Sequence, residues 1–202
     1  MKKLVTFMIA AVFSLSAKAA FITFDANDIS PYGGLQADTG GFNIFDGGNG
    51  LEVFGNYWVD LDLTNFLPID GSILSFEFMT TNVGEVHGIG FDDDDVLGPG
   101  GSGFGFQVGG TQSWGMADYK QTLVANTWYS FEIDLSVYDM SSFDRMVFIA
   151  DSDRSKDTDS FFRNVSFELP QTVQSNAINA PTTLGLFSMM LIGVALITRR
   201  KI

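Results

Sequence analysis

The chain has 202 residues, a length that suits one domain of about 150 residues together with processing segments. It has no cysteine and one histidine, which excludes disulfides and leaves too few ligands for a zinc site. Six of its 11 basic residues lie near the two ends, so residues 21–198 hold 5 basic and all 24 acidic side chains, a net charge of −19. That charge argues against nucleic acid and anionic lipid as ligands and favours cations or neutral polymers, unless it serves solubility alone.

The first 20 residues have the three parts of a secretory signal peptide. Lys2 and Lys3 precede an apolar run at residues 4–15, and a small-x-small cleavage site follows at residues 17–19. We therefore expect residues 1–20 to be a signal peptide that signal peptidase removes, so that the exported chain begins near Ala20 or Phe21.

The body of the chain, residues 21–170, consists of short alternating segments separated by turns rich in Gly, Asp and Asn. No window in it sustains a helical period, so the sequence predicts an all-β domain. Many short strands at regular spacing favour a two-sheet antiparallel β-sandwich, in a jelly-roll arrangement. In chain order, the predicted strands lie at residues 21–25, 42–45, 51–54, 58–61, 73–81, 85–92, 104–108, 128–135, 145–150 and 161–169.

The strand at residues 85–91 runs directly into four consecutive carboxylates at residues 92–95. By the period-2 rule, Ile89 and Phe91 share a face with His87, while the two glycines between them lie on the other face. Glycines on one face allow another group to approach the backbone closely. Since the apolar face also carries His87, we expect a core histidine and not a catalytic one.

Acidic side chains at two strand ends are candidates for a calcium site. Asp92 and Asp94 follow one strand, and Asp151 and Asp153 end another. Calcium takes six to eight oxygen ligands from carboxylates and loop carbonyls. Strand ends of a sandwich can converge on one rim, so the sequence suggests that these four residues share a calcium ion. The alternative is that both runs are solvated loops.

Two tryptophans are candidates for ligand contact because pyranose rings pack against aromatic faces. Trp114 lies in a glycine-flanked loop that also carries Gln112, and Trp128 alternates outward at the start of a predicted strand. The sequence therefore predicts Trp114, Trp128 and Gln112 as ligand contacts. Core or loop packing is the alternative for each tryptophan.

Two carboxylate pairs are candidates for a glycoside hydrolase site, which needs two carboxyl groups about 5–10 Å apart across a cleft. The pairs are Glu85 with Asp92 and Glu77 with Glu132. An acidic sandwich offers such pairs by chance, and the glucanase motif Glu-x-Asp-x-x-Glu is absent from the sequence. We therefore predict no catalytic residues and a protein that is not an enzyme.

The C-terminal end has a polar linker at residues 171–180, then Pro181, an apolar run at residues 184–197 and a basic cluster at residues 199–201. This order resembles the PEP-CTERM sorting signal of Gram-negative bacteria, with Asn-Ala-Pro in place of Pro-Glu-Pro. The resemblance implies that residues 181–202 form a hydrophobic helix that anchors a precursor in the inner membrane. It further implies that an exosortase removes this segment and that the protein reaches the cell surface or extracellular matrix. A plain C-terminal membrane anchor is the alternative.

Five segments of the body resemble the carbohydrate-binding-module type of β-sandwich found in large secreted bacterial proteins. They lie at residues 85–92, 110–115, 128–133, 147–153 and 162–165. The resemblance implies the sandwich fold and a secreted location. The aromatic residues and the acidic clusters add the prediction of a non-catalytic domain that binds polysaccharide or extracellular matrix with calcium assistance. A structural or adhesive matrix protein without a dedicated ligand is the alternative, and a glycoside hydrolase is less favoured.

Overall fold

The computed structural model describes residues 19–34, 39–64, 66, 69–97, 101–154 and 157–168. Most of the expected signal peptide, the polar linker and the whole C-terminal sorting segment lie outside these residues, so those assignments stay predictions. Among the described residues, no helix has the length and apolar character needed to cross a membrane.

Within the described ranges the chain forms ten β-strands and three short 3₁₀ helices, which confirms the all-β prediction. The 3₁₀ helices are Asp46–Gly48, Ala117–Tyr119 and Leu135–Val137. The strands are β1 (Ala19–Phe21), β2 (Ile29–Pro31), β3 (Thr39–Phe45), β4 (Gly50–Asp62), β5 (Ile73–Met79), β6 (Val86–Asp92), β7 (Phe104–Gly109), β8 (Tyr129–Asp134), β9 (Arg145–Asp151) and β10 (Asp159–Glu168).

The strands pair antiparallel in two halves that share β4. Sheet I has the order β3-β4-β10-β5-β8, with β1 also paired to β10, and sheet II has the order β2-β4-β9-β6-β7. Gly55, in the middle of β4, has φ +80°, and a Cβ there would lie 2.3 Å from the carbonyl oxygen of Thr39. Up to this point β4 pairs with β3 and β10, and beyond it with β2 and β9. The prediction of two separate strands, at residues 51–54 and 58–61, is therefore wrong, because glycine lets one continuous strand pass from one sheet to the other.

The two sheets face each other over a core rich in phenylalanine. Phe148 of β9 lies edge-on to Phe162 of β10, with ring centroids 5.1 Å apart. Phe91 of β6 meets Phe167 of β10 at 6.3 Å. These contacts join sheet II to sheet I, as the predicted sandwich requires. Burying each such ring fully stabilises the fold by about 1.5–3 kcal/mol.

His87 is fully buried in this core, as predicted. Its Nε2 accepts a hydrogen bond from the backbone N–H of Gly84 (2.8 Å), and its Nδ1 lies 2.8 Å from Ser160 Oγ. Ser160 Oγ donates its own proton to the carbonyl of Ile149 (2.7 Å), so Nδ1 must be the donor in the first contact. Burial lowers the pKa of His87 to about 4, and the imidazole is neutral at physiological pH.

Strand β10 contains an irregularity that decides which side chains face outward. Its pairing with β5 shifts between Arg163 and Ser166, and Asn164 has φ +53°. As a result Phe162 and Val165, three residues apart, both point into the core. Phe161 and Arg163 are turned to the outer surface of sheet I.

The two ends of the described fold lie side by side. Ala19 in β1 pairs with Glu168 in β10, and Phe21 pairs with Ser166. The start of β1 and the end of β10 therefore lie at the same end of the sandwich.

Candidate functional site

The two acidic clusters predicted to share a calcium ion lie at opposite ends of the β6–β9 ladder. Asp92 pairs with Arg145 at one end, and Asp151 pairs with Val86 at the other. Six residues of antiparallel strand separate the two ends, a distance of about 20 Å. The expectation that Asp92 and Asp94 share one ion with Asp151 and Asp153 is therefore wrong, and each cluster must be considered alone.

The Asp151 end is held together by protein hydrogen bonds. Glu85 Oε2 accepts from the backbone N–H of Asp153 (2.7 Å), and Asp153 Oδ1 accepts from Asn56 Nδ2 (3.0 Å). The guanidinium of Arg154 lies 3.5 Å from Glu85 Oε1. Burial, followed by the nearby charges of Asp153 and Glu85, raises the pKa of Asp151 to about 6. These protein donors already satisfy much of the cluster.

The Asp92 end is different. Asp92 is fully buried, and its Oδ2 accepts a hydrogen bond from the hydroxyl of Tyr32 (2.8 Å). That hydroxyl in turn accepts from the backbone N–H of Leu97 (2.8 Å). Asp92 Oδ1 has no hydrogen-bond partner among the described residues. Asp92, Asp93 and Asp94 each have one carboxylate oxygen that lies within 4.8 Å of the corresponding oxygens of the other two.

The outer face of sheet II, which carries the glycines of β6, is covered by loops of the same chain. The ring of Trp114 occupies the space where Gly105 would carry a Cβ, 2.3 Å from that position, and Leu97 does the same over Gly90 at 2.8 Å. Trp114 also packs edge-on against Trp58, with centroids 5.3 Å apart. The close approach that the glycines permit is thus made by the protein itself.

The loop that carries Trp114 is fixed by a buried glutamine. Gln107 Nε2 donates to the carbonyls of Gly109 (3.0 Å) and Gln112 (2.7 Å), and Gln107 Oε1 accepts from the backbone N–H of Trp114 (3.0 Å). Gln112 is exposed. Trp114 is therefore a partly exposed ring in a fixed loop, with one side given to packing.

Trp128 lies on the opposite side of the molecule, on the outer face of sheet I. Its indole ring is partly exposed and stacks under the guanidinium of Arg163, whose Cζ lies 3.8 Å from the ring centroid. Arg163 Nε also donates to Glu77 Oε2 (2.7 Å), which accepts a second bond from Asn164 Nδ2 (2.6 Å). The structure places Trp128 outward, as predicted, but does not bring it near Trp114 and Gln112.

Three phenylalanines that sequence reasoning missed share this outer face of sheet I. Phe45 and Phe161 meet with ring centroids 6.0 Å apart and are both partly exposed, and Phe54 is 36% exposed. Phe45 lies across its paired residue Gly50, and Phe54 lies across its paired residue Gly41. An aromatic ring can cover a cross-strand glycine because that residue has no side chain, and this holds the ring on the sheet surface.

We call this surface the aromatic face and define it by Phe45, Phe54, Phe161, Trp128 and Arg163. Between the rings stand hydrogen-bonding side chains: Asn43 Nδ2 donates to Glu52 Oε2 (2.8 Å). Directly paired positions place Asn43, Glu52 and Phe161 in one row across three strands. The face thus combines apolar platforms with amide and carboxylate groups at regular strand spacing.

The structure places the two carboxylate pairs, Glu85 with Asp92 and Glu77 with Glu132, in different ways. Glu85 lies just before β6 and Asp92 ends that strand, so the strand's length separates them. Glu77 and Glu132 lie on the same outer face, each opposite a serine of the neighbouring strand. The hydrogen bond from Arg163 lowers the pKa of Glu77, the reverse of what a general acid requires.

No protein-family model matches the sequence, and no curated protein matches it at a significant level. Several solved structures are similar in fold. One is the family 11 carbohydrate-binding module of cellulosomal cellulase Lic26A-Cel5E of Clostridium thermocellum, with 16% identity and a TM-score of 0.46 over 77% of this chain and 97% of that chain. Another is the CBM22-1 xylan-binding domain from Paenibacillus barcinonensis Xyn10C, with 12% identity and a TM-score of 0.43 over the same shares. A third is a family 30 carbohydrate-binding module, with 15% identity and a TM-score of 0.40 over 82% of this chain and 92% of that chain.

Proposed function

We propose that this protein is a non-catalytic module that binds a neutral polysaccharide at the aromatic face of sheet I. The observation that carries the proposal is the set of partly exposed rings beside polar side chains: Phe45 and Phe161 on strands of sheet I, and Trp128 just before β8, stacked on Arg163. Flat rings pack against the apolar faces of pyranoses. Neighbouring amides can donate to or accept from the sugar hydroxyl groups, and neighbouring carboxylates can accept from them. A flat, open face suits an extended chain better than a small molecule.

The charge of the body favours a neutral glycan over an acidic one. Residues 21–198 carry −19, and an acidic polysaccharide would be repelled at low ionic strength. On the face itself Arg163 is paired with Glu77, whereas Glu52 and Glu132 add further carboxylates, so this face shares the acidic character of the body.

Affinity gel electrophoresis of the full-length protein with a panel of soluble polysaccharides tests the proposal. We expect retardation by at least one neutral glycan, such as a xylan, mannan or β-glucan, and none by acidic ones. Phe45→Ala and Phe161→Ala each remove one platform, so affinity should fall about 5- to 30-fold, the cost of losing an aromatic anchor worth about 1–2 kcal/mol. Val137→Ala, at a 71% exposed site away from this face, is the matched control.

The other predicted contacts, Trp114 and Gln112, are assessed in the same gels. They lie on sheet II, so Trp114→Ala should leave retardation unchanged if the aromatic face binds the glycan. Loss of binding in Trp114→Ala, with Phe45→Ala and Phe161→Ala unaffected, would move the site to the other face. A protein that no glycan retards but that self-associates would instead fit the structural or adhesive alternative.

We further propose that the chain is exported and is held in the inner membrane by residues 181–202. Exosortase would then release it to the cell surface or extracellular matrix. The support is the sequence: an apolar run of about 14 residues between Pro181 and the basic cluster at residues 199–201. Intact-mass measurement of the surface form should show a chain shortened by about 22 residues at its C-terminus. A mass that includes Ile202 would leave a permanently anchored protein.

A further inference from the structure

The carboxylate of Asp92 is only half satisfied by the protein. It is 0% exposed, its Oδ2 receives the Tyr32 hydroxyl, and its Oδ1 receives nothing from the described residues. A buried carboxylate oxygen without a donor or a cation is costly, because burial removes the water that would solvate it. The position is also closely surrounded, since a Cβ on Gly103 would lie 2.8 Å from Oδ1.

The nearest cationic side chain is directed elsewhere. Arg145 is the cross-strand partner of Asp92, yet its Nη1 bonds Asp95 Oδ1 (2.5 Å) and its Nε bonds Asp144 Oδ1 (2.9 Å). Its Nη2 lies 3.4 Å from the carbonyl oxygen of Asp93. The guanidinium is therefore committed to other acceptors, and the charge of Asp92 is not balanced by an ion pair.

Two further carboxylates stand beside Asp92. Asp93 and Asp94 each offer an oxygen within 4.8 Å of the others, close enough for three oxygens to touch one ion. Their existing bonds leave lone pairs free: Asp93 Oδ1 accepts from the hydroxyl of Ser102, and Asp94 Oδ1 accepts from the backbone N–H of Val96 (3.0 Å). An all-carboxylate oxygen set suits a hard divalent cation, with carbonyls and water completing the shell.

We propose that Asp92, Asp93 and Asp94 bind one calcium ion, independently of the Asp151 cluster and of the aromatic face. The ion would bind the unpartnered Oδ1 of Asp92 and cross-link the end of β6 to the loop that follows it. In that loop the side chain of Leu97 packs over Gly90, and the backbone N–H of Leu97 donates to the Tyr32 hydroxyl. The ion would therefore stabilise the loop that packs on the outer face of sheet II. Calcium therefore acts on the stability of the fold and not as a bridge to the glycan.

Terbium luminescence of the full-length protein tests the site directly. Tb³⁺ occupies calcium sites and emits when a nearby aromatic ring absorbs, and the Tyr32 hydroxyl lies 2.8 Å from the Asp92 carboxylate with Trp58 stacked on the Tyr32 ring. We expect saturable emission with one ion per chain, displaced by calcium at far lower concentration than by magnesium. Calcium should also raise the melting temperature by about 5 °C or more at saturation.

Two double variants with the same change of charge locate the ion. Asp93→Asn with Asp94→Asn keeps the acceptor oxygens for Ser102 and Val96, so the fold is retained, and both emission and the calcium-induced shift should be lost. Asp151→Asn with Asp153→Asn should keep both. The proposal is overturned if the wild type gives no saturable emission, if the first variant retains it, or if calcium and magnesium shift the melt equally in all three proteins. In the last case the acidic loop only screens charge. Glycan retardation by the first variant should match the wild type, so failure here is distinguishable from failure of the glycan proposal.

Discussion

Replacing His87 with glutamine should change how the stability of the fold depends on pH. In the native state the neutral ring donates to Ser160 and accepts from Gly84, and burial lowers its pKa from the ordinary 6.5 to about 4. Between these two pH values the unfolded chain binds a proton at His87 that the folded chain does not. The stabilisation that neutral His87 contributes to the folded state is therefore fully present above pH 6.5 and is lost as the pH falls towards 4.

The magnitude follows from the size of the pKa shift. A shift of two to three units, at about 1.4 kcal/mol per unit, corresponds to about 3 kcal/mol of unfolding free energy lost by the wild type between pH 6.5 and pH 4. Two half-buried carboxylates act in the opposite direction, because burial is the main cause that raises the pKa of Asp60 and of Asp151 to about 6. Their contribution grows as the pH falls from 6 towards 4, which masks the effect of His87 in the wild type alone.

The difference in unfolding free energy between the wild type and His87→Gln isolates the effect of His87, since both proteins contain the same carboxylates and their contributions cancel. Urea unfolding at pH 7, 6, 5 and 4 should show the variant less stable at pH 7, because glutamine cannot reproduce both ring contacts. The gap should then narrow by about 3 kcal/mol as the pH falls to 4. Two parallel stability curves across this range would refute the argument that His87 is held neutral by burial.

Two other substitutions should affect the packing and the loops. Gly105→Val places a side chain where the ring of Trp114 lies. It should displace the indole, shift the tryptophan fluorescence to longer wavelength and lower the free energy of unfolding by about 1–3 kcal/mol through overpacking. An unchanged emission spectrum would contradict the contact. Asp159→Ala removes a buried carboxylate whose Oδ1 accepts bonds from Thr80 Oγ1 (2.9 Å) and from the backbone N–H of Thr81 (2.6 Å). Both donors lose their acceptor, so urea unfolding should show a loss of about 2–3 kcal/mol, and a loss under about 0.5 kcal/mol would contradict this role.

Much of the strand pattern could be read from the sequence because hydrophobic alternation is a local signal. The periodic segments around Phe76 and Phe131 became β5 and β8 with the expected residues inside. His87 was correctly placed in the core for the same reason. Strand β9 was also predicted from its apolar run, and it pairs on both sides, with β4 and β6.

The candidate site was harder to predict because it depends on register. The irregularity at Asn164 breaks the period of two, so alternation counted back from Val165 places Phe161 inside, whereas the structure turns it outward. Phe45 and Phe54 lie flat on the sheet only because a glycine is paired with each of them, and a single sequence does not show which residues pair across strands. The available signal was the occurrence of phenylalanine and glycine together in segments of the sequence that are close to one another.

The two acidic clusters illustrate a related limit. Asp92 and Asp151 both end strands, and strand ends can share a rim only when the strands run in the same direction. Because β6 and β9 are antiparallel neighbours, the last residue of one lies beside the first residue of the other. Strand direction is set by the order of the whole sheet, which local sequence patterns do not determine.

The pairing of Phe21 with Ser166 has a mechanical consequence for the exported chain. Tension applied between the start of β1 and the end of β10 pulls the two strands apart from one shared end, so their hydrogen bonds break one after another and do not share the load. The part of β1 that remains after signal-peptide removal would peel away at low force while the ladders around β4 remain unloaded. If the force acts only at the C-terminal end of β10, it passes along β10 into both of its long neighbours, β4 and β5, and their hydrogen bonds share it.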